Sequence, residues 1–332
     1  MELINRNYII ILIVLILSMG VIIIFEIPPH IYMPIFIMMV IIVMVLFILY
    51  LFFKSWIDVL INKFHFRQLE RCSGLDYLPY VEIPQDINPA QYNYQLAKSL
   101  LTSTMNTSIS NCQRYVEFRS LMTNIEEKYQ IIKEIKATVD GNNDMYAYIF
   151  YSNVGKYLIV AFTGTFFLNQ WILDMQYRQM KAYGMINNAQ PTTLVHSGFL
   201  KIYNGIKDEI RHTVSELHTN NRLFITGISL GAALATICAM DLASYKPQVY
   251  TFASPRVFNV KGAELMNSLL PNIFRVFNTE DMIPDYPLPI HREHPEDGYM
   301  HIGINVPFTI NLGTLYKNHV NAYIGYLPET IT

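Results

Sequence analysis

A short strand, a turn between two glycines and an alanine-rich helix restrict this chain more than any other stretch. Residues 223–228 are an apolar run typical of a buried strand, and residues 230–244 are a small-residue run typical of a helix. Residues 227–231 between them read Gly-Ile-Ser-Leu-Gly. A serine on so sharp a turn needs neighbours without Cβ atoms. The pattern predicts either a nucleophilic Ser229 that faces the free N–H groups of the helix, or a serine that only caps the helix.

Composition narrows the classes of protein. The 332 residues accommodate one large domain or two ordinary ones, and the formal net charge of −2 gives no argument for nucleic acid as a partner. The three cysteines, Cys72, Cys112 and Cys238, are far apart and lack the spacing of metal ligands. We therefore expect no disulfide scaffold, no metal site and no nucleic-acid partner.

Two long apolar runs, residues 8–25 and 31–53, precede this pattern. Each is long enough, at about 1.5 Å per residue, to cross a bilayer core of about 30 Å. Residues 26–30 contain two prolines, which favour a hairpin connection. We therefore predict a transmembrane hairpin over residues 1–54 and a juxtamembrane amphipathic helix and linker over residues 55–88. That helix would lie on the membrane or pack on the downstream domain.

The basic residues predict an orientation for these runs. They flank the two runs but are absent from the loop between them. The positive-inside rule then places both termini and the downstream domain in the cytosol, as part of an integral membrane protein with two spans. Residues 106–108 form a glycosylation sequon, and Asn106 would carry sugar only if the domain were lumenal.

The rest of the chain alternates between helix-like and strand-like patterns. Helical patterns cover residues 90–105, 113–137, 201–217 and 260–269, and strand-like runs cover residues 145–151, 156–162, 223–228, 248–252 and 273–277. Such alternation favours a mostly parallel sheet with helices on both faces. We therefore predict one α/β domain over residues 89–332.

A nucleophilic serine needs a base in contact with it and a third group that orients the base. The loop after the last predicted strand supplies three candidate carboxylates, Glu280, Asp281 and Asp285, at the edge where parallel strands end. Two histidines follow in suitable segments, His301 and His319. Spacing alone does not choose among these residues.

Seven segments in residues 90–327 resemble, in order, the motifs of the class 3 lipases, the fungal-type triacylglycerol lipase family. They are residues 160–165, 169–174, 195–199, 227–233, 250–257, 275–284 and 319–323. For example, residues 227–233, Gly-Ile-Ser-Leu-Gly-Ala-Ala, resemble Gly-His-Ser-Leu-Gly-Gly-Ala in the family. The resemblance implies an α/β-hydrolase fold, here with an N-terminal tether similar to that of membrane-bound diacylglycerol lipases.

The resemblance also implies roles for eight residues. They are the nucleophile Ser229, the acid Asp281, the base His319, the oxyanion-hole donors Thr165 and Leu230, and the lid or substrate-binding residues Phe166, Phe167 and Trp171. Three positions near the turn depart from the family pattern, because Thr163 replaces an arginine, Ile228 a histidine and Ala232 a glycine.

The function expected from this resemblance is that of a membrane-anchored serine lipase. It would hydrolyse ester bonds of tri- or diacylglycerols in the adjacent bilayer through an acyl-enzyme, with no cofactor and no metal. A phospholipase A-type enzyme or an acyltransferase with the same triad is one alternative. A catalytically silent lipase-like membrane scaffold is another.

Overall fold

A computed structural model describes residue 38 and residues 76–110, 129–139, 142–164, 178–219, 221–289 and 298–331. The chain divides into two units, Met1–Ile61 and Asn62–Thr332, and the second contains all the elements described below. Among these described residues, none of the helices has the length and apolar character needed to cross a membrane. The predicted spans, residues 8–25 and 31–53, and the juxtamembrane helix lie outside the described residues, apart from residue 38.

Five helices and eleven strands make up the described part of the chain. The helices are α1 (Tyr94–Ser110), α2 (Ser197–Leu217), α3 (Leu230–Asp241), α4 (Val260–Leu269) and α5 (Ala322–Gly325). The strands are β1 (Gln130–Val139), β2 (Asn142–Ser152), β3 (Tyr157–Phe162), β4 (Gln179–Lys181), β5 (Leu194–His196), β6 (Arg222–Ile228), β7 (Gln248–Phe252), β8 (Phe258–Asn259), β9 (Ile273–Asn278), β10 (Tyr299–Met300) and β11 (Ile304–Phe308). A π-helical turn, Lys317–Asn321, leads into α5.

A seven-stranded sheet in the order β1-β2-β3-β6-β7-β9-β11 forms the centre of the described domain. The five strands from β3 to β11 pair in parallel, and β1 and β2 add an antiparallel edge. The four short strands β10-β8-β5-β4 form a second, antiparallel sheet. The prediction of a mostly parallel sheet is confirmed.

Helices cover both faces of the large sheet because successive side chains of each strand point to opposite sides. In β6, Leu223 and Ile225 belong to the buried cluster that includes residues of α2, α3 and α4. Phe224 and Ile228 alternate with them and belong to the cluster that includes α1 and α5. This two-sided burial explains why β6 is an almost continuous apolar run.

The helix predicted over residues 113–137 is wrong in the part that the structure describes. Residues 130–137 belong to β1, which pairs with β2 along its length. Two irregularities in the pairing, between Ile131 and Lys133 and between Ile135 and Lys136, interrupt the alternation of apolar and polar residues. The period of two that identifies a strand is therefore missing from the sequence.

The glycosylation sequon is buried in the fold. Asn106 is 7% exposed, its carbonyl oxygen accepts from the Leu78 N–H at 2.8 Å, and its amide donates to the Leu78 carbonyl at 2.9 Å. Arg222 similarly donates to the carbonyl oxygens of Pro84 and Gln85. The described part of the predicted linker thus packs on the domain, and Asn106 has no room for a glycan once the domain is folded.

Candidate active site

Ser229 lies in a strained turn between β6 and α3. Its backbone has φ 57° and ψ −124°, a conformation that residues with a Cβ atom rarely adopt. A Cβ atom added to Gly231 would lie 2.6 Å from the Phe162 carbonyl oxygen, and one added to Gly227 would collide with the backbone of Gly231. Both glycines are therefore required by close backbone contacts, as the sequence pattern indicates.

The side chain of Ser229 is buried and free of hydrogen bonds. The residue is 2% exposed, and its Oγ has no hydrogen-bond partner among the described residues. Its N–H donates to the Phe252 carbonyl at 3.0 Å, which fixes the turn to the end of β7. Leu230 is the first residue of α3, so its N–H has no partner within the helix.

A buried hydrogen bond joins two of the candidate partners. His319 Nδ1 lies 2.8 Å from Asp281 Oδ2, and the two residues are 1% and 3% exposed. Because a carboxylate only accepts, Nδ1 carries the proton and Nε2 has a free lone pair. His319 Nε2 is buried and has no partner among the described residues.

Asp281 is held by two further donors. Tyr323 donates its hydroxyl to Oδ2 at 2.9 Å, and the Ile283 N–H donates to Oδ1 at 3.0 Å. The Tyr323 hydroxyl accepts in turn from the Asn278 N–H at 3.0 Å. Burial raises the pKa of Tyr323 well above its usual range, so the hydroxyl keeps its proton and acts as a donor to the carboxylate.

Two asparagines fasten the segment of Asp281 to that of His319. Asn318 donates to the Glu280 carbonyl at 3.1 Å and accepts from the Leu312 N–H at 2.6 Å. Asn278 donates to the Asn318 carbonyl at 3.1 Å. These bonds link the residues that immediately precede the acid and the histidine, so the two side chains meet within a fixed frame. The sequence contains both asparagines but gives no signal for this role.

The parallel strands bring Ser229 to the same sheet edge as this pair. Ser229 follows the carboxyl end of β6, and Asp281 follows the carboxyl end of β9. The ends of β6, β7 and β9 are linked, because the Ser229 N–H donates to Phe252 and the Ala253 N–H donates to the Val276 carbonyl at 3.1 Å. The arrangement places a free serine hydroxyl and a free imidazole nitrogen at one edge.

The other candidates make different contacts. Glu280 is exposed and accepts from the Asn311 amide at 2.8 Å, and Asp285 lies in an exposed position of a 3₁₀ turn. His301 follows the short strand β10 and donates from Nε2 to the Pro284 carbonyl at 2.7 Å. A further buried histidine, His196, precedes Ser229 in the chain and stacks on Phe199, with ring centroids 4.2 Å apart. None of these contacts links a carboxylate to a histidine.

The structure describes only part of the segment 160–165, the loop after β3 that would carry the oxyanion-hole donor Thr165. Thr163 donates its hydroxyl to the Met145 carbonyl at 2.9 Å, and the Gly164 N–H donates to Ser108 Oγ at 2.7 Å. Thr165 and the predicted lid or substrate-binding residues Phe166, Phe167 and Trp171 lie outside the described residues.

Within residues 76–331, as far as the structure describes them, no three His, Cys, Asp or Glu side chains are grouped as metal ligands would be.

Comparisons with known proteins show which proteins the chain is similar to. Residues 159–291 match the family model described as Lipase (class 3). Over these residues, which include Ser229 and Asp281, the chain matches the class 3 lipase family. It is 30% identical to a lipase of Caenorhabditis elegans, over 44% of this chain and 42% of that protein. It is 28% identical to the secreted mono- and diacylglycerol lipase A of Penicillium cyclopium, over 48% of this chain and 50% of that protein. The chain therefore spans half or less of the length of these relatives.

Solved class 3 lipase structures share the fold. The mono- and diacylglycerol lipase from Aspergillus oryzae aligns with a TM-score of 0.53 at 22% identity, over 67% of this chain and 82% of that chain. The triacylglyceride lipase from Rhizomucor miehei aligns with a TM-score of 0.50 at 22% identity, over 69% and 89%. These matches show an α/β-hydrolase fold, which confirms that part of the predicted fold class.

The comparisons correct the predicted localisation. The basic residues around the two apolar runs predict an integral membrane protein with a cytosolic domain, whereas the relatives from Penicillium cyclopium and Fusarium solani are named secreted lipases. The prediction of a membrane-embedded, cytosol-facing protein is therefore wrong. The charge rule is a conditional argument, because the basic residues around two apolar runs report an orientation only if those runs span a bilayer.

Replacing Tyr323 with phenylalanine removes one donor from Asp281 and leaves the Asn278 N–H without its acceptor. We expect the free energy of unfolding to fall by about 1–3 kcal/mol, because the orphaned N–H and the carboxylate that loses a donor are both buried. Urea denaturation followed by tryptophan fluorescence measures the change. Tyr326 is 50% exposed, so Tyr326→Phe serves as the control and is expected to change stability by less than about 0.5 kcal/mol. Equal stabilities of the two variants would contradict the role of the Tyr323 hydroxyl.

We predict that buried His301 makes the folded protein less stable in acid. Burial, together with the nearby Arg275 and Arg256, lowers the pKa of His301 from 6.5 to about 3. Below pH 6.5 the unfolded chain therefore binds a proton that folded His301 does not take up until about pH 3, and stability falls as the pH falls through this window. Between pH 7 and pH 4 we expect wild type to lose roughly 1–3 kcal/mol more than His301→Gln, which cannot titrate. If the unfolding free energies of wild type and His301→Gln changed equally with pH, the prediction would be refuted.

Proposed function

We propose that this class 3 lipase hydrolyses carboxylic ester bonds of acylglycerols, with Ser229 as nucleophile, His319 as general base and Asp281 as the acid that orients it. One observation carries the proposal. The buried bond between Asp281 and His319 leaves Nε2 free, at the sheet edge where Ser229 Oγ is also buried and free. A nucleophile, a base and an orienting carboxylate are the parts that acyl transfer needs.

In the first half of the reaction His319 Nε2 takes the proton of Ser229 as Oγ attacks the ester carbonyl carbon. Asp281 accepts from Nδ1–H, which keeps the imidazole in the tautomer with a free Nε2 and stabilises the imidazolium that forms. The protonated His319 then gives its proton to the departing alcohol oxygen. The products are the free alcohol and an acyl-Ser229 ester.

In the second half a water molecule replaces the alcohol. His319 takes a proton from this water, whose oxygen attacks the acyl carbonyl, and then returns the proton to Ser229 Oγ as the fatty acid leaves. The oxyanion of each tetrahedral intermediate would be bound by the Leu230 N–H, at the positive end of α3, and by Thr165. No step requires a cofactor or a metal.

The proposed substrate class is based on the names of similar proteins. Matches of 28% and 30% identity are to proteins named mono- and diacylglycerol lipases from Penicillium and Fusarium. We assign the catalytic role to residues 89–332, and keep Phe166, Phe167 and Trp171 as candidates for contacts with the acyl chain.

A second candidate substrate is phospholipid. Relatives from rice and Arabidopsis, each 28% identical, are named phospholipases A1. The same triad would cleave either class of ester, since the chemistry at the carbonyl is unchanged. Fatty-acid release from diacylglycerol and from phosphatidylcholine, measured in parallel, distinguishes the two substrate classes. An acyltransferase would instead give a transesterified product.

The direct test of the nucleophile is labelling with a fluorophosphonate probe. We expect wild type and Ser254→Ala to be labelled and Ser229→Ala to be unlabelled. Ser254 is a matched control because it is also a buried serine, 3% exposed, and lies just after the neighbouring strand β7. A folded wild-type protein that resists the probe would refute the proposal and favour a catalytically silent scaffold.

The two histidines that spacing leaves equal provide a second test. His319→Gln removes the proposed base, so we expect the kcat for diacylglycerol hydrolysis to fall by at least about 10³-fold. His301→Gln keeps a donor for the Pro284 carbonyl and is expected to change kcat by less than about 3-fold, since His301 makes no contact with the pair. The opposite ranking of the two variants would overturn the assignment of the base.

A further inference from the structure

The C-terminal half of α1 presents an unusual buried surface of hydroxyl groups. Ser103, Thr104, Thr107, Ser108 and Ser110 are all less than 9% exposed. Buried hydroxyls are costly unless they are hydrogen-bonded, so each needs a partner. Two of these partners are backbone groups at the end of β3 and in the loop that follows it, the loop that would carry the oxyanion-hole donor Thr165.

Thr104 and Ser108 bind this loop at two points. The Thr104 hydroxyl donates to the Phe162 carbonyl, and Ser108 Oγ accepts from the Gly164 N–H at 2.7 Å. The two residues are one helical turn apart, so they lie on the same face of α1. One face of the helix therefore fixes the loop on both sides of Thr163.

The Ser108 hydroxyl is suited to accept this bond. It donates its own proton to the Thr104 carbonyl at 2.7 Å within α1. With the proton committed there, the lone pairs of Oγ are available to the Gly164 N–H. Ser108 is 1% exposed, so water cannot easily replace the hydroxyl as acceptor.

The opposite side of the loop contacts the turn of the nucleophile. A Cβ atom on Gly164 would lie 3.0 Å from Ile228 Cγ2, and a Cβ atom on Gly231 would lie 2.7 Å from the Thr163 carbonyl oxygen. The loop thus lies between α1 and the segment that carries Ser229. A change in the bond from Ser108 would shift the loop relative to the nucleophile.

We propose that Ser108 is a positioning residue for ester hydrolysis, which holds Gly164 and so sets the position of the oxyanion loop against the turn of Ser229. This inference rests on the function proposed above. Charge develops on the ester oxygen only in the transition state, so a displaced loop weakens transition-state binding more than substrate binding. Loss of the Ser108 hydroxyl therefore lowers kcat and leaves KM nearly unchanged.

The chain supplies a matched control for this test. Ser110 lies on the same helix, is 3% exposed and donates to the Thr107 carbonyl at 2.6 Å, as Ser108 donates to Thr104. Its remaining bond is to the Tyr148 hydroxyl, at 3.0 Å, and not to the loop. Ser108→Ala and Ser110→Ala thus delete similar buried hydroxyls, but only the first removes an acceptor from the loop.

The experiment measures kcat and KM of the full chain with a soluble short-chain nitrophenyl ester, and the melting temperature of each variant. We expect Ser108→Ala to lower kcat by about 10-fold to 50-fold, less than the loss of a direct oxyanion donor, with KM within about 2-fold of wild type. Ser108→Thr restores a hydroxyl and recovers most of kcat. Ser110→Ala stays within about 3-fold of wild type in kcat at a similar loss in melting temperature.

The inference is overturned if wild type is active and Ser108→Ala loses no more kcat than Ser110→Ala, or if its loss appears in KM instead. If Ser108→Ala fails to fold, Ser108→Cys replaces it, since a thiol fits the space but is a weak acceptor. The same fall in kcat is then expected, and wild-type kcat in this variant overturns the inference. An inert wild type refutes the proposed function itself, so the two failures are distinguishable.

Discussion

The close approach between the first turn of α3 and the loop after β3 determines the geometry of the candidate site. At Gly231 this approach leaves no room for a Cβ atom beside the Phe162 and Thr163 carbonyl oxygens. It brings the free N–H groups of a helix N-terminus next to a second backbone segment, with Ser229 at the junction. The strained backbone of Ser229 persists because the surrounding strands and glycines determine the path of the chain on both sides.

The acid and the histidine depend on a different kind of constraint, a network of buried hydrogen bonds. Asp281 receives bonds from His319, Tyr323 and the Ile283 backbone, which fill much of the accepting capacity of its carboxylate. Asn278 and Asn318 hold the flanking backbone segments together. Such a network orients the imidazole before any substrate arrives, which is what an orienting carboxylate contributes to catalysis.

Two departures from the family pattern are accommodated by local contacts. The Thr163 hydroxyl donates to the Met145 carbonyl of β2, so a short side chain still secures the loop to the sheet where the family has an arginine. Ile228 belongs to the apolar cluster beneath α1, and its Cγ2 would lie 3.0 Å from a Cβ atom added to Gly164. Both positions therefore support the loop and the turn through bonding or packing, without contributing a charged group near Ser229.

Local sequence by itself determined the strand, the glycine turn and the helix around Ser229, because these features depend on neighbours within a few residues. It also determined the alternation of strand-like and helix-like segments from which a parallel sheet is predicted. The local pattern failed for β1, where bulges interrupt the two-residue period of the strand. The distribution of basic residues led to the wrong prediction of localisation. Spacing left three carboxylates and two histidines open, and only the family resemblance chose among them. The bonds from His319 to Asp281 and from Gly164 to Ser108 join residues 38 and 56 positions apart. Tertiary structure alone decides such contacts, because the distance between these atoms is fixed by how the strands and α1 pack.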